Sequence, residues 1–129
     1  MGISVSIPGQ QTITIKAGSE LKSLGTESTS LNGLEQTVLE RPGGGKTTSI
    51  TGYIDLSGLL AGDVAVVALY IKMTAISPWK TCYKEIYTGH QELPIVHVAK
   101  RPENHGLKVT IQQTAGAHKN IIHEFFEES

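Results

Sequence analysis

The longest apolar stretch of the chain runs from Asp63 to Ala75 and reads DVAVVALYIKMTA. Apolar residues occupy both alternating faces of this stretch, and neither glycine nor proline interrupts it. Valine, isoleucine and tyrosine favour β-strands, and a strand that is apolar on both faces is typical of the middle of a sheet. We therefore predict a central strand here, with a neighbouring strand on each side and with both faces covered.

Shorter segments elsewhere in the chain also favour strands, because they are rich in β-branched and aromatic residues and end at glycine- or proline-containing turns. These predicted strands lie at residues 34–40, 46–57, 79–88, 95–99, 107–114 and 120–128. Gly52, inside the second of them, indicates a bulge or a bend. About seven or eight short strands with regular turn signals, and no strong helical period, predict an all-β antiparallel β-sandwich. Both a jelly-roll and an immunoglobulin-like topology fit this pattern.

The first 30 residues differ from the rest of the chain. Apolar residues alternate with serine or threonine on both sides of a Pro8–Gly9 turn, which predicts a hairpin with one apolar face. The residues of that face are Ile3, Val5, Ile7, Ile13 and Ile15. Residues 17–30 are polar and rich in serine, threonine and glycine, and loops of this length are uncommon inside a compact domain.

We therefore predict two parts: an N-terminal arm at residues 1–30, made of the hairpin and a polar tether, and a β-sandwich domain at residues 31–129. An isolated two-stranded hairpin is marginally stable in water, so its apolar face needs a partner surface. We expect the hairpin to dock on a neighbouring copy or on a larger shell. The alternative is that it folds back on its own sandwich.

Composition narrows the classes of partner. A length of 129 residues fits one domain, and a formal net charge of −1 gives no electrostatic basis for binding nucleic acid or anionic membranes. No apolar run approaches the roughly 20 residues of a membrane-spanning helix, and the N-terminus does not resemble a secretory signal.

The chain has a single cysteine, Cys82, so an internal disulfide is excluded. A lone cysteine fits assembly in a reducing cytoplasm, and we expect Cys82 to be a half-buried strand residue.

The sequence GGGKTT at Gly43–Thr48 shares glycine, lysine and threonine with phosphate-binding loops. The first glycine of that motif would fall at Glu40, and the residues that follow favour a strand, although the motif requires a helix N-terminus. We therefore predict that this segment is a hairpin loop that binds no nucleotide.

No other residue pattern predicts catalysis or a cofactor. Of the five histidines, His97 and His123 are the strongest metal candidates because both lie in predicted strands, but no set has metal-ligand spacing. A GxSxG nucleophile motif is absent from the sequence. The scattered acids are predicted to be solvated surface residues: Asp55, Asp63, Glu85 and Glu92. We expect no enzyme activity, no metal and no cofactor.

Three aromatic residues in or beside one predicted strand offer a candidate ligand platform. Trp79, Tyr83 and Tyr87 are spaced by four residues, which places them on one face of a regular strand. Such a face could stack against a sugar, although large aromatic side chains more often pack in a core.

Several segments from Leu34 onward resemble those of small β-sandwich structural proteins from the virions of tailed bacterial and archaeal viruses. The segments that carry the resemblance are GYIDLSGLLAGD at 52–63, ALYIKM at 68–73, TGHQELP at 88–94 and LKVTIQQTAG at 107–116. The resemblance covers roughly two-thirds of the chain and excludes the N-terminal third.

This resemblance implies a capsid decoration (cement) protein on the head surface, with a tail or fibre piece as a second possibility. It implies binding to the major capsid protein and to other copies of the chain, location in the virion, and assembly in the host cytoplasm. It brings no catalytic residues with it. The alternative function is a carbohydrate- or ligand-binding β-sandwich module.

Overall fold

The computed structural model describes residues 2–5, 13–16, 21–43 and 47–128. No helix in these ranges has the length and apolar character needed to cross a membrane. The strands within them are β1 (Gly2–Val5), β2 (Ile13–Lys16), β3 (Leu21–Ser30), β4 (Gln36–Arg41), β5 (Thr48–Asp55), β6 (Val64–Ile71), β7 (Lys80–Thr88), β8 (Ile95–Glu103), β9 (Leu107–Ala115) and β10 (Asn120–Glu128).

Eight of these strands form two four-stranded antiparallel sheets. Sheet I has the order β3-β10-β5-β8, and sheet II has the order β4-β9-β6-β7. Successive strands pass from one sheet to the other, except for β6 and β7, which are neighbours in sheet II. This is the order of an eight-stranded jelly roll. The predicted antiparallel β-sandwich is confirmed, and the strand order selects the jelly roll over the immunoglobulin-like topology.

The predicted central strand is β6, which pairs with β7 on one side and with β9 on the other. Its inner positions Ala65, Val67 and Leu69 are buried between the sheets. On the outer face Ala68 is buried, whereas Val64 and Val66 are only partly covered. The prediction that both faces are covered therefore holds for the inner face and only in part for the outer one, because an antiparallel sheet can leave one face open to water.

Apolar side chains from both sheets and from the loops at one end of the sandwich form one core. Its buried members include Leu31, Ile50, Ile54, Leu56, Leu59, Val67, Leu69, Val98, Leu107, Val109, Ile111, Ile121 and Phe125. Gly52 lies within β5, and the β5–β8 register shifts between Ile50 and Gly52. The extra residue of this bulge belongs to β8, where Ala99 and Lys100 lie opposite Thr51 alone, so the bulge predicted at Gly52 is found on the partner strand.

The predicted polar tether is wrong for residues 21–30, which form β3 at the edge of sheet I. This strand pairs with β10 from Ser30↔Asn120 to Leu21↔Glu128. Most of its side chains are exposed, and Leu24 packs against the core. An edge strand with so few apolar residues has the composition of a loop, so the sequence pattern did not indicate a strand here. The jelly roll thus begins at Leu21, and the division into arm and sandwich stays a prediction.

The N-terminal hairpin forms a two-stranded sheet of its own. Strands β1 and β2 are antiparallel, with Ile3 opposite Ile15 and Val5 opposite Ile13. Ile7 and residues 17–20 lie outside the described residues.

Two further expectations are corrected. Cys82 is exposed, because it is the additional residue where the β6–β7 register shifts. Asp63 is buried and not solvated: its Oδ2 accepts a hydrogen bond from the Leu60 N–H at 2.9 Å and lies 3.6 Å from Nζ of Lys119.

Candidate interaction surfaces

The outer face of sheet I carries three large apolar side chains that are half exposed. Tyr53, Ile95 and Ile122 have exposed fractions of 47%, 52% and 50%. The strand register brings them together, because Asp55 lies opposite both isoleucines and is two residues from Tyr53. We call these three residues the apolar patch.

Aromatic contacts fix the orientation of the Tyr53 ring in the apolar patch. The Tyr53 ring stacks on His97 with centroids 5.2 Å apart and forms a T-shaped pair with Phe126 with centroids 6.4 Å apart. Two carboxylates lie among these residues: Asp55 stands between Ile122 and Ile95 and accepts a hydrogen bond from the Ser57 N–H, and Glu124 lies opposite Tyr53 and accepts one from the Ser23 hydroxyl. The surface therefore interleaves apolar side chains with negative charge.

All four edge strands of the jelly roll carry a β-bulge. The bulges lie at Leu24–Gly25 in β3, Val38 in β4, Cys82 in β7 and Ala99–Lys100 in β8, with one additional residue in each. Strand β8 also contains Pro102, which has no N–H to donate. Bulges and prolines twist or block an edge, so these strands are poor templates for the addition of another strand.

The three aromatic residues of the candidate ligand platform do not lie together. Tyr83 and Tyr87 pack against the core. Burial, aided by a hydrogen bond with Tyr83, raises the pKa of Tyr87 to about 12. Trp79 is half-buried elsewhere, with Nζ of Lys72 5.1 Å and Nζ of Lys108 5.0 Å from its ring centroid. The prediction of one platform made by Trp79, Tyr83 and Tyr87 is therefore wrong.

Trp79 instead belongs to a polar and aromatic cluster that sequence reasoning missed. Nζ of Lys108 also lies 5.0 Å from the Tyr70 ring centroid, on the outer face of sheet II. Oε2 of Glu35 accepts hydrogen bonds from the Thr110 hydroxyl at 2.6 Å and from the Tyr70 hydroxyl at 2.5 Å. We call Glu35, Tyr70, Trp79 and Lys108 the Trp79 cluster. These four residues come together only because Tyr70 of β6 pairs with Lys108 of β9. The spacing of residues along the sequence does not indicate this pairing.

Charge and hydrogen bonding fix the protonation states in the Trp79 cluster. The hydrogen bond from Thr110, then that from Tyr70, and the nearby Lys108 charge hold the pKa of Glu35 below its usual value. The same carboxylate raises the pKa of Tyr70 by accepting its hydrogen bond. At neutral pH the cluster therefore presents an ionised carboxylate and a neutral phenol beside the Lys108 side chain.

The two histidines that were the strongest metal candidates lie on opposite faces of sheet I. His97 stacks on Tyr53 at the outer face, whereas His123 is buried on the inner face. Strand β5 separates their strands. Within the described ranges no three residues of the types His, Cys, Asp and Glu lie close enough to hold a metal ion.

The glycine-rich segment leads into β5, so a strand follows it. Residues 44–46 lie outside the described residues, and the absence of nucleotide binding stays a prediction.

No protein-family model and no curated protein sequence matches the chain. Among solved structures, the chain is similar to the infectious bursal disease virus VP2 subviral particle, with a TM-score of 0.44 and 12% sequence identity. The similarity covers 98% of this chain and 37% of that chain, so this chain spans little more than a third of that protein's length. A likeness of this size does not carry a function from one protein to the other, and the family resemblance seen in the sequence stays a prediction.

Proposed function

We propose that this chain is a non-enzymatic structural protein of a virion, a capsid decoration protein that binds the major capsid protein and other copies of itself. The observation that carries the proposal is the N-terminal hairpin. Its cross-strand pairs Ile3–Ile15 and Val5–Ile13 are apolar, and β1 and β2 form a sheet separate from sheets I and II. A hairpin of two short strands is marginal alone, so another surface must stabilise it.

The jelly roll supports the same proposal by analogy. Eight-stranded jelly rolls form many viral capsid and lectin domains, although a fold alone does not define a function. A formal net charge of −1 fits protein partners better than nucleic acid.

Removal of the hairpin tests the proposal. The cut must precede Leu21, because β3 belongs to sheet I. We expect a chain that lacks residues 2–16 to keep the melting temperature of the intact chain and to lose self-association in sedimentation velocity. If the truncated chain unfolds or aggregates while the intact chain is a stable monomer, the hairpin is part of the fold and the proposal is wrong.

Substitutions in the intact chain test whether self-association requires the apolar side chains of the hairpin or only the presence of the hairpin. Ile13→Ser with Ile15→Ser should reproduce the loss of self-association. Ser4→Thr with Thr14→Ser changes the alternate positions of the same strands and should leave it unchanged.

Genomic context tests the virion assignment independently. We expect a major capsid gene beside the gene for this chain. A position among metabolic genes, far from any capsid or tail gene, would contradict the assignment.

A second candidate function is binding of a carbohydrate or another ligand at the Trp79 cluster, including such a role in a tail or fibre component. The supporting observation is the convergence of an aromatic ring, an ionised carboxylate and a lysine side chain on the outer face of sheet II. Trp79 is the single tryptophan of the chain, so its fluorescence reports on this cluster alone.

Titration with a panel of glycans tests this second candidate. A saturable change in fluorescence that Glu35→Gln or Lys108→Ala abolishes would favour it. Tyr83→Phe, on the core side of β7, is the matched control and should leave any binding intact. A flat response across the panel would argue against it.

A further inference from the structure

We propose that the cleft between β7 and β8 binds a small carboxylate that carries an apolar group of about six carbon atoms. These two strands are the edges of sheet II and sheet I, and a cavity lies between them. The inference goes beyond the proposed assembly function, because it concerns neither the hairpin nor the Trp79 cluster.

The size and the walls of the cavity define the apolar part of the ligand. Its volume is about 140 Å³, and its lining residues are Val67 and Leu69 of β6, Tyr83 of β7, and residues 96–99 and Arg101 of β8. A protein cavity of about 150 Å³ with apolar walls accommodates benzene. The cavity therefore has room for one six-membered ring or a short alkyl chain.

A β-bulge directs Arg101 into this cleft. Arg101 lies opposite Ile50, which is buried on the inner face of sheet I. Without the bulge at Ala99–Lys100, the alternation that places Val98 inside would place Lys100 inside and Arg101 outside. Bulges commonly re-aim a side chain beside a functional site. Here the bulge exchanges an exposed lysine for an inward-facing arginine.

The Arg101 guanidinium has no acidic partner within the part of the chain that the structure describes. No ion pair joins it to a carboxylate there, and its buried Nε atom has no acceptor. Its Cζ atom lies 5.6 Å from the centroid of the Tyr83 ring, which positions the group by a cation–π contact. Glu103, two residues further along β8, accepts a hydrogen bond from Thr48 instead. Because buried donors ordinarily have acceptors, a ligand that supplies one would be stabilised here.

A carboxylate is the group that suits this guanidinium best. Arginine stays charged and presents its donors in a planar fork, so that a carboxylate can accept two parallel hydrogen bonds from it. Val67, Leu69 and Val98 would enclose the hydrocarbon part of the same molecule. A neutral apolar ligand would leave the guanidinium without an acceptor, and an inorganic anion would leave the apolar walls without a contact. The exposed Glu85 on β7 does not line the cavity, so solvent screens its charge.

Calorimetric titration of the intact chain with benzoate and with hexanoate tests the proposal. We expect saturable binding of both acids. Benzyl alcohol has the same ring without the carboxylate, and it should bind about tenfold or more weakly than benzoate. Binding to the folded state should also raise the melting temperature as the acid concentration increases. Titrations with both acids that stay flat at millimolar concentrations would overturn the proposal.

Two neighbouring cations of β8 provide the decisive variant and its matched control. Arg101→Gln should weaken benzoate binding about tenfold or more and remove the preference for benzoate over benzyl alcohol. Lys100→Gln removes a cation that forms an exposed ion pair with Glu128, and it should leave benzoate binding unchanged. If Arg101→Gln binds benzoate like the intact chain, or if Lys100→Gln weakens binding equally, the proposal is wrong.

A cavity-filling substitution keeps the test decidable if Arg101→Gln fails to fold. Val96 is half-buried and lines the cavity, so Val96→Phe places a ring where the ligand would lie. This variant should keep its melting temperature and lose the binding of both acids. Full affinity for benzoate in a folded Val96→Phe variant would show that the acid binds elsewhere and would refute the proposal. These titrations leave the hairpin intact, so their failure is distinct from a failure of the assembly function.

Discussion

Gly52 lies directly opposite Phe125 in the β5–β10 ladder, and the ring of Phe125 occupies the space that a side chain on Gly52 would need. A Cβ atom at this position would contact Cδ1 of Phe125 and lie 2.6 Å from the backbone oxygen of Glu124. The glycine therefore serves to admit a large aromatic ring into the core. Its role is close packing, whereas the bulge that the sequence predicted at this glycine lies in the partner strand β8.

We expect Gly52→Ala to lower the free energy of unfolding by about 1–3 kcal/mol, the usual effect of overpacking a filled core. Thermal unfolding followed by circular dichroism measures the change. Gly58→Ala is the matched control, because nothing lies within 4 Å of the position that its added methyl group would take. Equal melting temperatures for the two variants would show that Phe125 can move aside.

Val67 is fully buried at the centre of β6, with an exposed fraction of 0%. Val67→Asp should abolish soluble expression, because an unpaired buried charge is destabilising by several kcal/mol against a total stability of about 5–15 kcal/mol. Ile76→Asp introduces the same charge at a residue that is 97% exposed and should express normally. A stable, soluble Val67→Asp variant would mean that β6 is not the centre of the core.

Sequence predicted β6 and β9 well, because their buried sides require apolar residues at fixed spacing. The edge strands of sheet I, β3 and β8, were predicted less well than those of sheet II, β4 and β7. Strand β3 was interpreted as a tether, and β8 was predicted to end at residue 99, although it continues to Glu103. Edge strands bury few side chains, so serine, lysine and proline are tolerated there and the period-2 pattern fades.

The candidate ligand platform failed for a different reason. A regular strand would place Trp79, Tyr83 and Tyr87 on one face, but the bulge at Cys82 reverses the alternation. Tyr83 and Tyr87 consequently pack in the core, whereas Trp79 meets Lys108 outside it. Spacing alone does not reveal a bulge, and the Trp79 cluster depends on residues that are distant in sequence.

We expect no binding of ATP or GTP at Gly43–Thr48. Phosphate-binding loops place the anion at a helix N-terminus, whereas here β5 begins at Thr48. Isothermal titration calorimetry with each nucleotide and magnesium should give heats of dilution only. Saturable binding that Lys46→Ala removes would prove this prediction wrong.

His123 is buried on the inner face of sheet I, and its Nε2 atom lies 2.8 Å from the Thr29 hydroxyl. Burial lowers the pKa of His123 below 6.5, and the negative charge of Glu27 opposes this effect only in part. The unfolded chain therefore takes up a proton on this histidine at a higher pH than the folded protein does. Its contribution to stability is fully present above about pH 6.5 and is lost as pH falls from there toward the folded pKa.

Urea unfolding between pH 7.5 and pH 5.5 should reveal this loss as a falling midpoint in the intact chain. His123→Gln keeps a hydrogen-bonding side chain for Thr29 and cannot take up the proton, so its midpoint should depend less on pH over the same interval. His97→Gln, at the outer face, should retain the pH dependence of the intact chain. Carboxylates titrate mainly below this interval, which leaves the histidines as the main source of the slope. If His123→Gln and the intact chain show the same slope, protonation of His123 is not what destabilises the sandwich in mild acid.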